Sequence, residues 1–210
     1  MKLNKILSTF LILVIPVLCF GQVMKPMDDT LSFKSGLEKF SKNTNSIQSD
    51  FVQEKKLKML NDKVISKGEL YFRKEDKLRW EYQDPYSYIV ALNNGKVMLK
   101  DEGKITTYDA NANKLFIELN DILITCINGN IFRSKKFSFR FMETEKNKVV
   151  EMTPLNSSMK NFIDKIIMYF DPDFSVSKVE MLEPSKNSTV IIFKNKKLNA
   201  EIPESLFILN

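Results

Sequence analysis

The sequence predicts a mainly β protein, in which about ten or eleven antiparallel strands follow one another, with one helix at the start and another in the middle. Three observations support this prediction: strand-like alternation, turn residues between the alternating segments, and two segments with helical spacing. The alternation is clearest between Gly68 and Gly95. There, charged residues separate the apolar residues Leu70, Phe72, Leu78, Trp80 and Tyr82.

Residues 1–21 are predicted to be a secretory signal peptide. Lys2 and Lys5 precede an apolar run that extends from Ile6 to Leu18, and Cys19-Phe20-Gly21 provides a small-x-small end. The apolar run is shorter than the ~20 residues that a membrane-spanning helix needs. We therefore expect the chain to be exported.

A lipid anchor on Cys19 is the competing interpretation of the same segment. Leu18 counts against it, because the residue before a lipidated cysteine is normally small. Simple cleavage would start the mature chain at Gln22 and leave residues 22–210, a length that suits one β-rich domain.

The first structural element is predicted to be an amphipathic helix from Thr30 to Lys42. Phe33, Leu37 and Phe40 recur at spacings of four and three, which places them on one face. From Ser49 onward the period changes to that of strands. We predict strands over residues 50–56, 64–73, 78–82, 88–92, 96–100 and 105–108, with Asn94-Gly95 as the turn between the fourth and fifth of these.

A second helix is predicted between Asn111 and Phe132. Leu115, Leu119, Ile122 and Cys126 repeat there at helical spacing, and Gly129 is placed to end the helix. Strands then resume over residues 137–142, 148–153, 163–170, 176–182 and 189–194, separated by turn-rich segments such as Asp171-Pro172-Asp173.

Histidine is absent from the chain, and this absence restricts the chemistry. It removes Ser-His-Asp and Cys-His catalysis together with the usual zinc sites. Glu143 with Glu145, and Asp171 with Asp173, remain as carboxylate pairs, but their neighbours indicate exposed loop carboxylates. We expect no enzyme activity, no catalytic residue, no metal and no cofactor.

The cysteine content and the charge distribution exclude two further features, an intramolecular disulfide and a nucleic-acid partner. Cys126 alone remains after cleavage, so an intramolecular disulfide cannot form, and its apolar neighbours indicate a buried hydrophobe. The net charge is +6 for the whole chain and +4 without the signal peptide, with the two signs interspersed. Lys55-Lys56 and Lys196-Lys197 are the densest basic runs and are assigned to solvated strand edges and turns. A nucleic-acid partner is therefore not expected.

An antiparallel sheet of this length must either close or curve around something, and a barrel of more than eight strands has room for a ligand. The interior is expected to be lined by apolar residues of alternating strands. The predicted cavity wall consists of Leu70, Phe72, Leu78, Trp80, Tyr82, Met152, Met168 and Phe170. For Leu78, Trp80 and Tyr82 the alternative is ordinary core of a curved sheet.

The order of these segments resembles the family of outer-membrane lipoprotein carrier proteins of the LolA type. The similar segments are FVQEK at Phe51–Lys55, GELYFRKEDKLRWEYQDP at Gly68–Pro85, NNGK at Asn93–Lys96, VVEMTP at Val149–Pro154, IIMYFDP at Ile166–Pro172, VEML at Val179–Leu182 and TVIIFKN at Thr189–Asn195. Each is weak alone, but their order and spacing cover nearly the whole mature chain.

The resemblance implies an incomplete, unclosed antiparallel β-barrel with a helical lid. It also implies a periplasmic monomer that carries the acyl anchors of lipoproteins from an inner-membrane exporter to an outer-membrane acceptor. The inner face of the lid would be formed by Ile122, Leu123 and Ile127, with a permanently packed helix as the alternative.

One family feature differs in this chain. Members commonly carry an Arg-Pro pair after the Gly-initiated strand, and the arginine hydrogen-bonds the lid in the empty state. Lys74-Glu75 stands at those positions here, so Lys74 is the candidate lid latch. A lysine is a single point donor, which predicts a weaker latch, and a solvated turn lysine is the alternative.

Two other functions remain open from the sequence. The protein could carry another lipid or a glycolipid in envelope biogenesis, which would need the same apolar cavity. It could also be an interaction domain that senses lipoproteins and regulates a membrane partner. The molecule recovered with the protein would distinguish these functions.

Overall fold

The computed structural model describes residues 24–60, 62–75, 77–93, 95–109 and 131–210. They form twelve strands: β1 (Lys25–Pro26), β2 (Ser46–Leu57), β3 (Asp62–Arg73), β4 (Lys77–Asp84), β5 (Tyr88–Asn93), β6 (Lys96–Asp101), β7 (Lys104–Asp109), β8 (Phe137–Glu143), β9 (Lys148–Pro154), β10 (Lys165–Phe170), β11 (Val176–Leu182) and β12 (Ser188–Leu198). Two α-helices are described, α1 (Thr30–Asn43) and the short α2 (Ser157–Lys160), together with 3₁₀ turns at Lys58–Leu60, Ile131–Arg133 and Glu204–Phe207.

All twelve strands belong to one antiparallel sheet. Its order is β1-β8-β9-β10-β11-β12-β2-β3-β4-β5-β6-β7, so two meanders are joined where β12 pairs with β2. The end strands β1 and β7 do not pair with each other in the described part of the chain. The predicted mainly β, unclosed antiparallel architecture is therefore confirmed.

The sheet is strongly curved. Leu78 on β4 and Met168 on β10 are five strand positions apart, a separation of about 24 Å in a flat sheet. Both side chains nevertheless line one cavity of about 50 Å³ on the concave side. Buried residues from α1 and from eight of the strands form a single hydrophobic cluster there. Alternation along the strands produces this cluster, because every second side chain points inward.

Helix α1 covers part of the concave face. It begins where the Asp29 side chain accepts a hydrogen bond from the Ser32 backbone N–H at 2.8 Å, and it ends at Thr44, whose hydroxyl donates to the Phe40 carbonyl. Phe33 and Leu37 are buried, with 3% and 1% of their surface exposed. The helix that was predicted from the spacing of its apolar residues is thus confirmed, and it extends one residue beyond the predicted end.

The strands differ from the prediction mainly in length. The β2–β3 ladder is continuous from the Ser46–Arg73 pair to the Leu57–Asp62 pair, so both strands extend beyond their most apolar parts. Strand β10 begins two residues later than predicted, since α2 and a turn precede it. The two-residue strand β1 was not predicted, and it accounts for the twelfth strand.

Part of the predicted architecture lies outside the described residues. This holds for the signal peptide with Cys19 and for the lid residues Ile122, Leu123 and Ile127, along with Cys126. Only the end of the second predicted helix is described, and there Ile131–Arg133 forms a 3₁₀ turn whose Ile131 is 2% exposed.

The end of the chain covers the convex side of β3, β4 and β5. Arg73 and Arg79 donate hydrogen bonds to the carbonyls of Ile202 and Leu206 at 3.0 and 2.9 Å, and Phe207 is fully buried. Arg73 and Arg79 therefore point away from the concave face, as the alternation predicts.

Glu143 was assigned to an exposed loop, and this assignment is wrong. It ends β8, and its side chain is only 9% exposed because Lys148 and Lys25 contact it, Lys25 at 3.0 Å. These hydrogen bonds, from Lys148 first and then Lys25, lower the pKa of Glu143 from 4.5 to about 2. Since β1 pairs with β8 at Lys25 and Glu143, the same contacts hold β1 on the sheet.

We expect Glu143→Gln to reduce the pH dependence of stability in acid. A carboxyl group with a lowered pKa stabilises the folded state above its unfolded pKa of 4.5, and this contribution disappears as the pH falls through about 2. Thermal unfolding midpoints measured across that range should fall less steeply in Glu143→Gln than in the wild type. Glu145→Gln, in the exposed turn beside it, is the control and should follow the wild type; identical curves for all three proteins would contradict the prediction.

Candidate functional site

The candidate site is the apolar cavity between α1 and the concave face of the sheet. Its volume is about 50 Å³, and ten of the thirteen described residues that line it are apolar. Leu37 and Phe40 of α1 form one side. The opposite wall is contributed by the sheet, through Ile47, Leu70, Leu78, Trp80, Met168, Val176 and Phe193.

Pairing between neighbouring strands places the central wall residues. Leu70 on β3 lies directly opposite Trp80 on β4, and Ser49 on β2 lies opposite Leu70 on its other side. The Trp80 ring packs against Phe51 and Phe193, with ring centroids 5.1 and 6.1 Å away. A row of inward side chains from three adjacent strands therefore forms the floor of the cavity.

Phe174 narrows the cavity from the turn between β10 and β11. Its backbone has a φ of +67°, a conformation that is rare for a bulky residue. Its ring packs directly on Gly36 of α1, where a Cβ atom would lie 2.2 Å from the ring. Glycine at position 36 is therefore what allows the ring to lie beneath the helix.

A polar cluster lies beside Phe174 at one end of the cavity. The Lys196 ammonium group donates to Asp171 Oδ2 at 2.6 Å, to Ser175 Oγ at 2.5 Å and to the Val176 carbonyl at 3.3 Å. The Lys196 side chain is 16% exposed. The assignment of Lys196 to a solvated strand edge or turn is therefore wrong.

A β-bulge explains the position of Lys196. The pairing of β12 with β2 shifts between Lys194 and Lys197, and Asn195 has a φ of +51°. The extra residue interrupts the alternation, so that Lys196 lines the cavity as Phe193 does.

Four of the predicted wall residues line this cavity: Leu70, Leu78, Trp80 and Met168. The other four are buried in the same hydrophobic cluster without lining it: Phe72, Tyr82, Met152 and Phe170. Tyr82 stacks on Tyr88 at 4.2 Å and donates to Gln53 at 3.0 Å. Burial, followed by the proximity of Tyr88, raises the pKa of Tyr82.

Lys74, the predicted latch, contacts the end of α1. Its ammonium group donates to the Lys42 carbonyl at 2.8 Å and to Asn45 Oδ1 at 3.1 Å. Its backbone N–H also donates to the Asn45 carbonyl at 2.8 Å. Lys74 therefore attaches the last turn of the helix that covers the cavity, while the predicted lid residues lie outside the described ranges.

Phe174, Lys196 and the α1 residues were not predicted from the sequence to be parts of the site. One signal was available for Phe174: a glycine inside an amphipathic helix is costly, so Gly36 indicated a close packing partner. For Lys196, alternation from Phe193 predicts a side chain that points away from the cavity, whereas the bulge turns it toward the cavity.

Within the described ranges, no group of three or more Cys, Asp or Glu side chains is arranged to hold a metal ion. None of the described helices is long and apolar enough to cross a membrane.

Comparisons with known proteins identify relatives of this chain. A sequence profile described as outer membrane lipoprotein carrier protein LolA matches residues 42–210. A protein of Nitrosospira multiformis named outer-membrane lipoprotein carrier protein is 21% identical over 172 residues, which cover 81% of each chain.

Two solved structures are similar in fold. The complex of Pseudomonas aeruginosa MucA and MucB matches with a TM-score of 0.52 and 15% identity, covering 85% of this chain and 60% of the matched chain. A crystal structure of MucB matches with a TM-score of 0.50 and 14% identity, over 85% of this chain and 62% of that one. This chain thus spans less than two thirds of either, and the likeness shows the fold alone. On the profile match, which covers most of the sequence, the chain belongs to the family of outer membrane lipoprotein carrier proteins.

Proposed function

We propose that this protein binds the acyl anchors of lipoproteins in the cavity beneath α1 and carries them through the periplasm. The observation that supports this most directly is an apolar cavity lined by ten apolar side chains and covered by a helix, in a member of the lipoprotein carrier family. Binding and release suffice for this function, and no chemical step is part of the proposal.

The energetics require an enclosing site. Burial of one methylene is worth ~0.8 kcal/mol, so exposure of an acyl chain of about fifteen methylenes to water costs roughly 12 kcal/mol. A cavity of about 50 Å³ holds a few water molecules at most, so it is too small for such a chain. In the proposal, α1 and Phe174 move away from the sheet when cargo enters.

The route of the cargo is also part of the proposal. Residues 1–21 direct export and are removed, and residues 22–210 then work in the periplasm as a monomer. An inner-membrane exporter supplies the lipoprotein, and an outer-membrane acceptor receives it. The family membership supports this route.

Native mass spectrometry of protein purified from the periplasm of its own kind of cell tests the function, combined with lipid extraction. A co-purified diacylated or triacylated polypeptide is the expected result. Free phospholipid or glycolipid in its place would show a general lipid carrier. An empty protein without affinity for acyl chains would overturn the proposal and favour an interaction domain.

Lys74→Leu is expected to loosen the helix that covers the cavity. The substitution removes both side-chain hydrogen bonds between Lys74 and the end of α1. We expect amide hydrogen exchange in the last turn of α1 to rise about fivefold and the affinity for a monoacyl ligand to rise by a similar factor.

Lys67→Leu provides the matched control for this experiment. Lys67 lies on β3, where its exposed side chain contacts Asp84 of β4 at 3.3 Å instead of α1. Its substitution should leave exchange in α1 as in the wild type. Unchanged exchange in Lys74→Leu would show that Lys74 does not restrain the helix.

A further inference from the structure

Trp80 has a buried hydrogen-bond donor that finds no partner among the described residues. The residue is 7% exposed, and its indole N–H makes no hydrogen bond within the described part of the chain. Buried polar groups are paired in the great majority of cases, and an unpaired one costs about 1–3 kcal/mol of stability. The side chain that bears this donor lines the cavity.

None of the aromatic side chains packed on Trp80 within the described residues accepts a hydrogen bond from its indole N–H. Its ring contacts Phe51, Tyr82 and Phe193, and the only polar atom among these side chains is the Tyr82 hydroxyl, which donates to Gln53 and accepts no hydrogen bond from the indole N–H. The requirement of the indole N–H is therefore not met by the packing around it.

The other polar groups of the cavity already have partners. The Lys196 ammonium group has three acceptors for its three N–H bonds. The Ser175 hydroxyl donates to Asp173 Oδ1 at 2.6 Å, and the Ser49 hydroxyl is within 2.8 Å of two backbone carbonyls. Among the described residues that line the cavity, Trp80 thus has the one side-chain donor left for a ligand.

We propose that the Trp80 indole N–H binds the carbonyl oxygen of the ester or amide that joins an acyl chain to its polar head. This inference rests on the proposed function, because it assigns a role within the same cavity. A hydrocarbon chain alone would leave the donor unpaired, whereas a carbonyl oxygen accepts a hydrogen bond without bringing a charge into an apolar site. The cavity therefore selects acyl esters and amides over ether-linked chains.

The test compares two ligands that differ in the carbonyl group alone: monolauroylglycerol, an ester, and 1-O-dodecylglycerol, its ether counterpart. The wild type should bind the ester about tenfold more tightly, the worth of one hydrogen bond to a buried donor. In Trp80→Phe the ratio of the two affinities should fall to about one. If Trp80 has only a structural role, Trp80→Phe should bind both ligands more weakly than the wild type does, and the ratio of the two affinities should stay unchanged.

The emission of Trp80 provides a second readout that needs no substitution. Trp80 is the sole tryptophan of the chain, so tryptophan fluorescence reports this site alone. A hydrogen bond from the indole N–H shifts the emission to longer wavelength, and we expect the ester to produce a larger shift than the ether.

Equal affinities of the wild type for ester and ether would overturn the inference while leaving the carrier function in place. A tenfold preference that persists in Trp80→Phe would overturn the assignment to Trp80. Failure of the wild type to bind either ligand would contradict the carrier function itself, so the two proposals are tested separately.

Discussion

Leu70→Glu is expected to lower the affinity for a monoacyl ligand by at least about 100-fold, because binding would bury a carboxylate against the acyl chain. Leu70 is 6% exposed, lines the cavity and lies directly opposite Trp80. In the empty protein the carboxylate can keep water at the cavity, and in the loaded protein the chain displaces that water. Titration of monolauroylglycerol, followed by Trp80 fluorescence, measures the loss.

The matched control for Leu70→Glu is Ile65→Glu. Ile65 lies on the same strand but is 42% exposed and does not line the cavity. This variant carries the same added charge and should bind as the wild type does. Circular dichroism establishes that both variants are folded. A folded Leu70→Glu protein with wild-type affinity would show that acyl chains do not enter this cavity.

The sequence predicted the central part of the site because two simple rules hold there. Alternation along β3 and β4 places Leu70 and Trp80 on the same face, and their pairing then makes them neighbours. Helical spacing likewise places Phe33 and Leu37 on the buried face of α1. Both patterns are local, so a few consecutive residues are enough to reveal them.

The sequence could not predict the features that depend on a break in a local pattern. The bulge at Asn195 reverses the side on which Lys196 would otherwise lie. Glu143 is hidden by lysines from β9 and from β1, which is 118 residues away in the chain. The covering of Arg73 and Arg79 by the end of the chain is equally a long-range contact. Charged residues near turns normally indicate solvent, and only tertiary contacts overrule that indication.

The turn that bears Phe174 is fixed by several of these long-range contacts. Lys196 joins Asp171 to Ser175, and the Ser175 backbone and hydroxyl both donate to Asp173. Such a network can hold a bulky residue at positive φ, at a cost of the order of 1–3 kcal/mol. Backbone strain of this kind persists only where the surroundings enforce it. We therefore infer that this network fixes the position of the Phe174 ring in the empty cavity.

Phe174→Gly is therefore expected to open the cavity and to raise the affinity for monolauroylglycerol about tenfold. The wild-type ligand must displace the ring from beneath Gly36, whereas the variant has no ring to displace and no strain at a φ of +67°. The empty variant should be less stable by about 2–3 kcal/mol, because the packing of the ring stabilises the protein by more than its strained backbone costs. Ligand titration and chemical denaturation measure the two effects.

Phe162→Gly is the matched control, because it removes a phenylalanine ring that does not obstruct the cavity. Phe162 is 52% exposed, precedes β10 and does not line the cavity. Removal of its ring should therefore leave the ligand affinity unchanged and should change the free energy of unfolding by no more than about 1 kcal/mol. If Phe174→Gly instead weakens binding, the ring is part of the wall that holds the acyl chain. Tighter binding by a less stable protein is the combination that an obstructing ring predicts, because the packing of the ring beneath α1 stabilises the empty state and is also what cargo must displace.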